Sequence, residues 1–113
     1  MRVYKIVPSD VWDQAVASGE FRGSGIDLDD GFIHLSSAEQ VRETAALHFA
    51  GQEGLLLIEF DTDDLGDALR WEASRGGAMF PHVYGSIGVG LAKWACPMPW
   101  KNGTFVFPQD LAE

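Results

Sequence analysis

Two short stretches of the sequence concentrate side chains that can do chemistry. The first, DGFIHLSSAEQ, contains His34, Ser36, Ser37 and Gln40. The second, RWEASRGGAMFPHVYG at 70–85, sets two arginines, a glutamate, a histidine and a tyrosine among aromatic residues and glycines. A strand that only lines a core has little use for so many charged groups. The two stretches are therefore the candidate functional segments of the chain.

The side chains in these stretches are of types that can act on a nucleotide-like ligand. The candidate catalytic residues are Glu72, His34 and His82. Glu72 can steady an oxocarbenium-like centre, or act as a base if burial beside Trp71 raises its pKa. His34 can donate hydrogen bonds to a ribose hydroxyl or a phosphate. It lies just before a predicted helix N-terminus, whose free N–H groups favour an anionic ligand.

The candidate ligand-binding residues supply flat rings and guanidinium groups. Phe80 or Tyr84 can stack on a planar ring. Arg70 or Arg75 can hold a phosphate or carboxylate through paired hydrogen bonds. These residue types suit a nucleotide-like ligand, but they do not select one.

Each of these residues also has a purely structural interpretation. Glu72 and Arg70 are two positions apart and can pair on an exposed strand face. His82 follows a proline and can hydrogen-bond a loop carbonyl, and Tyr84 can be a half-buried sheet residue. The functional interpretation of His34 has equal standing, because Phe32 points with it toward the same face.

Three other kinds of site fit the sequence less well. The three histidines and a glutamate could bind zinc, but no HExxH or CxxC spacing is present. Ser36 or Ser37 could imitate a catalytic triad with a histidine, but the chain has no GxSxG motif. The glycines of GSIGVGLAK match neither a Walker A motif nor GxGxxG, and they are expected to allow bends in a curved sheet.

The composition narrows the class of protein and of partner. A chain of 113 residues predicts a single domain over 1–113. One cysteine rules out an intrachain disulfide, and we expect a soluble, cytoplasmic protein with no membrane contact. The net charge of −9, with no obvious cluster of cations, argues against an extended nucleic-acid surface. A small molecule is the expected partner.

The elements that must position the candidate residues begin with a strand at 2–7 and a helix capped by Ser9 and ended by Gly19. An irregular loop with a short extended piece follows at 20–31, then a strand over GFIHLS. The next helix is predicted to start with a capping box of Ser36 and Glu39 and to run to about Phe49.

The second half of the chain is predicted to consist mainly of strands. LLLIEFD at 55–61 is the strongest strand signal, and its apolar run indicates a central strand covered on both faces. TDDLGDAL suggests a turn or a single helical turn. RWEAS, HVYGSIG and VGLAKWACPM predict short strands, and Asn102-Gly103 predicts a turn before an edge strand. Strands and helices do not alternate regularly, so we expect an α+β fold with a curved, mixed or mainly antiparallel, split and barrel-like sheet and two main helices.

Three strings carry a family resemblance: YKIVPSDVWDQAVASGEF, DGFIHLSSAEQVRETAALHFAGQ and LRWEASRGGAMFPHVYGSI. The chain resembles the bacterial family called domain of unknown function 952 from Tyr4 to about Pro99. That family is similar at the level of fold to ADP-ribosyltransferases, especially the branch with RNA 2′-phosphotransferases. The resemblance implies a split, curved β-structure that holds NAD, as a candidate substrate, or an ADP-ribose-like group.

The resemblance also implies roles for individual residues. It places a polar position of the first strand at Lys5, the second-strand histidine or serine at His34 and Ser36, and the catalytic glutamate at Glu72. Lys5, His34 and Ser36 would then position the ribose and phosphates, while His82 and Tyr84 would line the pocket. Many relatives have histidine where this chain has Lys5. A charged lysine donates hydrogen bonds and cannot accept them, so this departure bears on transferase chemistry. A non-catalytic module that binds a small ligand or another protein is the alternative function.

Overall fold

The computed structural model describes residues 1–108 and 111, and the side chain of Arg75 lies outside the described part. The strands are β1 (Arg2–Pro8), β2 (Glu20–Phe21), β3 (Ile33–His34), β4 (Ser36–Ser37), β5 (Leu55–Asp61), β6 (Leu69–Ala73), β7 (Met79–Val83), β8 (Ile87–Gly88), β9 (Trp94–Pro97), β10 (Trp100–Lys101) and β11 (Thr104–Phe105). The helices are α1 (Ser9–Ser18), α2 (Ile26–Asp30), α3 (Ala38–His48) and α4 (Thr62–Leu65), with 3₁₀ turns at Gly66–Ala68, Arg75–Gly77 and Val89–Leu91.

The largest sheet has the strand order β4-β1-β5-β9. Strand β5 pairs with β1 along its whole length, from Arg2 opposite Asp61 to Pro8 opposite Leu55, and with β9 on its other edge. Leu57, Ile58 and Phe60 are fully buried, although successive residues of a strand point to opposite faces. The predicted central strand covered on both faces is therefore confirmed.

Two hydrophobic cores lie on the two faces of this sheet. Strand β1 sends Val3 and Val7 into the first core, which also contains Trp12 of α1. It sends Tyr4 and Ile6 into the second core, beneath α3. The other buried members of the second core are Val41, Ala45, Leu55, Leu57, Met98, Phe105 and Leu111. Lys5 falls on the same face of β1 as Val3 and Val7, and it is only 8% exposed.

A second sheet carries the two candidate segments. It has the order β3-β7-β6, so the last of these strands in sequence, β7, lies between the other two. Ile33 of β3 and Val83 of β7 are opposite each other and bury one face of this sheet in the first core. The other face is left for polar side chains.

The predicted α+β class with mainly antiparallel sheets is confirmed. All seven strand pairings given by the described residues are antiparallel, and α1 and α3 are the two longest helices there. The sheets of this part of the chain are split and do not close into a barrel. Among the same residues, no helix has the length and apolar character needed to cross a lipid bilayer.

Two helix starts differ from the sequence prediction by one residue. Helix α1 begins at Ser9 with Pro8 as its N-cap, so Ser9 is not the cap, although Gly19 does end the helix in a left-handed conformation. Helix α3 has Ser37, not Ser36, as its N-cap. Its capping box pairs Ser37 with Gln40 rather than with Glu39.

The segment 20–36 also differs from prediction. The expected irregular loop contains the short helix α2, and its extended piece is β2. The strand expected over GFIHLS is broken at Leu35 into β3 and β4, which belong to different sheets. In contrast, the Asn102-Gly103 turn is confirmed, because both residues have positive φ, 54° and 81°, between β10 and β11.

Candidate functional site

The polar face of the β3-β7-β6 sheet collects the side chains that the sequence singled out. His34 of β3 lies directly opposite His82 of β7, and Arg70 of β6 lies opposite His82 on the other edge. Directly opposed residues of antiparallel strands point to the same face, as do residues two apart on one strand. We call polar face the surface formed by Phe32, His34, Arg70, Glu72, His82 and Tyr84.

Glu72 is held in place by two neighbours on this face. Its Oε1 lies 2.8 Å from Nδ1 of His82 and accepts a hydrogen bond of 2.8 Å from the Tyr84 hydroxyl. The hydrogen bonds from His82 and Tyr84 lower the pKa of Glu72 below its usual value. The hydrogen bond between Tyr84 and Glu72 also raises the pKa of Tyr84. The idea that burial beside Trp71 raises the pKa of Glu72 is therefore wrong, since 38% of the Glu72 side chain is exposed.

His82 is the buried member of this group. Its side chain is 5% exposed. Since the ionised carboxylate of Glu72 can only accept a hydrogen bond, Nδ1 of His82 carries a proton. Nε2 of the same ring is buried and has no hydrogen-bond partner within the described part of the chain. A buried polar atom without a partner is rare in proteins and requires an explanation.

Phe32 joins the two histidines and the tyrosine into one aromatic cluster. Its ring centroid lies 4.5 Å from that of His34, 4.3 Å from that of His82 and 5.2 Å from that of Tyr84. On the far side, the guanidinium carbon of Arg70 lies 5.4 Å from the centre of the Tyr84 ring, within the range of a cation–π contact. The polar face therefore offers flat rings, one cation and one anion side by side.

Asp27 of α2 holds both the backbone and the side chain of His34. One carboxylate oxygen accepts from the backbone N–H of His34 at 3.0 Å and lies 2.7 Å from its Nδ1. The other accepts from the backbone N–H of Ser24 at 3.0 Å and lies 2.7 Å from Nζ of Lys5. Burial alone would raise the pKa of Asp27, but the charge of Lys5 and the hydrogen bonds from Lys5 and His34 bring it below the usual value.

Lys5 and His34 complete this network. Nζ of Lys5 also donates to the carbonyl of His34 at 3.0 Å. Burial lowers the pKa of Lys5, and the neighbouring charge of Asp27 opposes that effect. Nε2 of His34 lies 3.0 Å from a carboxylate oxygen of Asp30. Both ring nitrogens of His34 thus face carboxylates, and only the doubly protonated ring can donate to both at once.

The structure brings most of the predicted site residues together. His34, Arg70, Glu72, His82 and Tyr84 share the polar face, and Phe80 is buried opposite Glu72.

Two predicted ligand-binding residues lie elsewhere, and one lies outside the described part. Lys5 sits behind the polar face and reaches it through Asp27. Ser36 belongs to the other sheet, where its hydroxyl is 3.2 Å from that of Thr44 on α3. The Arg75 side chain lies outside the described residues. Ligand binding by these residues stays a prediction.

Sequence reasoning missed Asp27, Asp30 and the central position of Phe32. The sequence did contain one signal that an acidic partner was needed. Lys5 lies between Val3 and Val7 on the core-facing side of β1. A lysine in such a position needs a carboxylate partner. Across the described residues, no group of three His, Cys, Asp or Glu side chains is arranged to hold a metal ion.

A surface pocket of about 330 Å³ borders the polar face. Phe32 belongs to both, and Arg22, Asp27, Leu28 and Ser86 are among the other residues that line the pocket. The volume is at the lower end of the range of small-molecule sites. A ligand bound in this pocket would lie against the ring of Phe32.

Comparison with known proteins identifies a family and similar solved structures. Residues 6–94 match the family model described as Protein of unknown function (DUF952), a range that contains the whole polar face. The crystal structure of protein CC0527 from Caulobacter crescentus is similar, with a TM-score of 0.90 and 45% identity over 94% of each chain. Its solution NMR structure has a TM-score of 0.83 and 45% identity, over 92% of this chain and 90% of that one. No functionally curated protein matches.

Proposed function

The chain belongs to the DUF952 family of proteins of unknown function, and we propose that its polar face binds a nucleotide-like molecule, with NAD as the first candidate substrate. The proposed reaction is the transfer of an ADP-ribosyl or related group, as in ADP-ribosyltransferases. The observation that carries this proposal is the Glu72 carboxylate, held by His82 and Tyr84 on a face lined with aromatic rings.

A fixed carboxylate suits the chemistry of ribosyl transfer. Breaking the bond between ribose and nicotinamide develops positive charge at the sugar carbon, and a preorganised anion stabilises that charge most where it need not reorient. The lowered pKa of Glu72 keeps it ionised at neutral pH. Glu72 therefore has the electrostatic role in this proposal.

The remaining residues of the polar face supply binding groups. Phe32 and Tyr84 offer ring faces to a base or to nicotinamide, and Arg70 offers a guanidinium to a phosphate. Lys5 and Asp27 act through His34, because both are occupied by each other and by the β3 backbone. We assign them a positioning role rather than direct contact with phosphate.

Ligand binding is tested first by thermal unfolding of the purified protein with NAD, ADP-ribose and adenosine phosphates at millimolar concentration. A ligand at a hundred times its dissociation constant adds about 2.7 kcal/mol of stability. We expect at least one of these compounds to raise Tm, and Arg70→Ala to weaken that effect. Lys101→Ala removes the same charge from the β10–β11 hairpin and is the matched control. If none of the compounds raises Tm, the proposal is wrong.

Turnover is tested by release of nicotinamide from NAD, measured by chromatography. We expect Glu72→Gln to keep the Tm shift and to lose about 10²-fold or more of the release rate, since a fixed charge acts on the transition state.

Binding without any release would favour the second candidate, a non-catalytic ligand-binding module. One observation supports that candidate: Lys5, Asp27 and His34 are occupied by contacts within the fold, as in structural ion-pair networks.

A further inference from the structure

We propose that Nε2 of His82 is the proton acceptor of the polar face and takes its proton from the hydroxyl-bearing compound, water included, that receives the ADP-ribosyl group. The inference rests on the proposed function, which supplies the identity of the reactants. The two ring nitrogens of His82 have different surroundings. Nδ1 is held by the Glu72 carboxylate, and Nε2 has no hydrogen-bond partner within the described residues. A general base needs such a nitrogen with a free lone pair.

The Glu72 contact selects the tautomer of the ring. The carboxylate oxygen 2.8 Å from Nδ1 fixes the proton on that nitrogen and leaves the lone pair on Nε2. A carboxylate oriented in this way also stabilises the imidazolium that forms when Nε2 takes up a proton. Glu72 is then a positioning residue for this step, in addition to its electrostatic role.

The burial of Nε2 supports a ligand-directed role. The atom has essentially no access to solvent and no hydrogen-bond partner in the described part of the fold. A purely structural histidine in this position would leave a buried acceptor unsatisfied, which destabilises the fold. His34, directly opposite, shows the contrast, because both of its ring nitrogens are engaged by carboxylates.

The proton-transfer step is balanced within the proposed function. The O–H bond of the hydroxyl-bearing compound breaks, its proton joins Nε2, and the electron pair of that bond stays on oxygen. The oxygen forms a bond to the ribose carbon of NAD as the bond to nicotinamide breaks. The electron pair of the broken carbon–nitrogen bond goes to the positively charged ring, so nicotinamide leaves as a neutral molecule. The acceptor of the transfer is thus a hydroxyl-bearing compound.

Nε2 is buried, so a reactant reaches it only if a neighbouring side chain moves, and we infer that Phe32 is that side chain. Its ring is 4.3 Å from the His82 ring, it is only half-buried, and it lines the 330 Å³ pocket. Gly31 precedes it with φ of 81°, a conformation that glycine adopts without strain. A ligand that enters the pocket and displaces Phe32 reaches the histidine behind it.

The tautomer is tested on the ligand-free parent protein by long-range ¹H–¹⁵N NMR of the histidine rings at neutral pH. We expect His82 to carry its proton on Nδ1 and to have an unprotonated Nε2. In Glu72→Gln we expect this preference to be lost, because an amide can donate as well as accept. A His82 ring protonated on Nε2 or on both nitrogens in the parent would overturn the proposal.

Access is tested with diethyl pyrocarbonate, which modifies unprotonated ring nitrogens, followed by peptide mass spectrometry. We expect modification of His82 to be slow in the parent and about tenfold or more faster in Phe32→Ala, since opening exposes the buried atom. His48, exposed on α3, is the internal control and should react equally in both proteins. Equal rates at His82 in the two proteins would show that Phe32 does not control access.

These results separate the inference from the proposed function. If no nucleotide binds but the tautomer is as expected, the ligand class is wrong and the proton acceptor stands. If NAD is turned over, His82→Gln should slow release about tenfold or more while leaving the Tm shift in place. A His82→Gln variant with the release rate of the parent would contradict the inference.

Discussion

Lys5 is a buried charge on a strand face that is otherwise apolar. Burial lowers its pKa, and the nearest compensation is the Asp27 carboxylate 2.7 Å away. The strand pattern could predict that an acidic partner was needed, but not which one. Three aspartates follow Ile26 within five residues, and it is the helical turn of α2 that points Asp27 inward while Asp29 and Asp30 stay exposed.

Asp27→Asn tests this compensation. The substitution removes one charge of a buried pair and leaves Lys5 without its counter-ion, which typically costs about 3–5 kcal/mol. We expect a loss of this size in the free energy of unfolding measured by urea titration. Asp29→Asn, in the same short helix but exposed, should change the stability by less than about 0.5 kcal/mol.

A double variant distinguishes the unpaired charge from other effects of Asp27→Asn. Lys5→Met in the Asp27→Asn background removes the stranded charge, so part of the lost stability should return. If Asp27→Asn is as stable as the parent, or if the double variant is no better than the single one, Asp27 does not compensate Lys5.

Helix α3 shows why the starts of elements are hard to place from sequence. The string SSAEQ allows two overlapping capping boxes, Ser36 with Glu39 and Ser37 with Gln40. The second is formed. Both serines pair with β1, Ser36 opposite Tyr4 and Ser37 opposite Val3, but the hydroxyl of Ser36 is engaged with Thr44 on α3. This tertiary contact distinguishes the two serines, and the local pattern carries no information about it.

Gln40→Ala should therefore destabilise the fold more than Glu39→Ala. The amide oxygen of Gln40 accepts from the backbone N–H of Ser37 at 3.0 Å, and its nitrogen donates to the carbonyl of Met79 at 2.7 Å. Losing both bonds should cost about 1–2 kcal/mol in urea unfolding. Glu39 is exposed, and its replacement should stay within about 0.5 kcal/mol of the parent. If Glu39→Ala proved more destabilising than Gln40→Ala, the result would favour the capping box of Ser36 and Glu39 that the sequence predicted.

The break at Leu35 is a second feature that the pattern could not show. Apolar and polar residues alternate from Ile33 to Ser36, and the two-residue period of a strand correctly assigned Phe32 and His34 to one face. The backbone N–H of Leu35 bonds to the carbonyl of Pro81, and the next residue already pairs with β1. Alternation tells which face a residue occupies, but it cannot tell which sheet the strand joins.

At the scale of the whole molecule, the candidate site depends on the strand order β3-β7-β6. The apolar run of β5 predicted a central strand, because a strand buried on both faces has apolar residues at successive positions. The meeting of His34 with His82 is different in kind. It requires β7 to insert between two strands that are 35 residues apart in sequence, from His34 to Leu69, and such long-range pairing leaves no local signal.

Three carboxyl groups with lowered pKa values make the stability of the whole molecule depend on pH in the acidic range. Burial tends to raise the pKa of Asp27, but the charge of Lys5 brings it below the usual value. Hydrogen bonds from His82 and Tyr84 lower the pKa of Glu72. The backbone N–H of Asp63 is the main cause of the lowered pKa of Asp61. Unfolded carboxyls titrate near pH 4. Their contribution is therefore complete above about pH 5 and lost as pH falls through the lower folded values.

We therefore expect the free energy of unfolding, measured by urea titration between pH 7 and pH 3, to stay level and then to fall below about pH 5. The unfolded chain binds more protons than the folded one in this range, so protonation favours unfolding. Asp27→Asn removes one of the contributing carboxyls and should show a shallower fall, whereas Asp29→Asn should follow the parent. Stability that is constant or rises toward pH 3 would mean that these carboxylates are not better stabilised in the fold than in the unfolded chain.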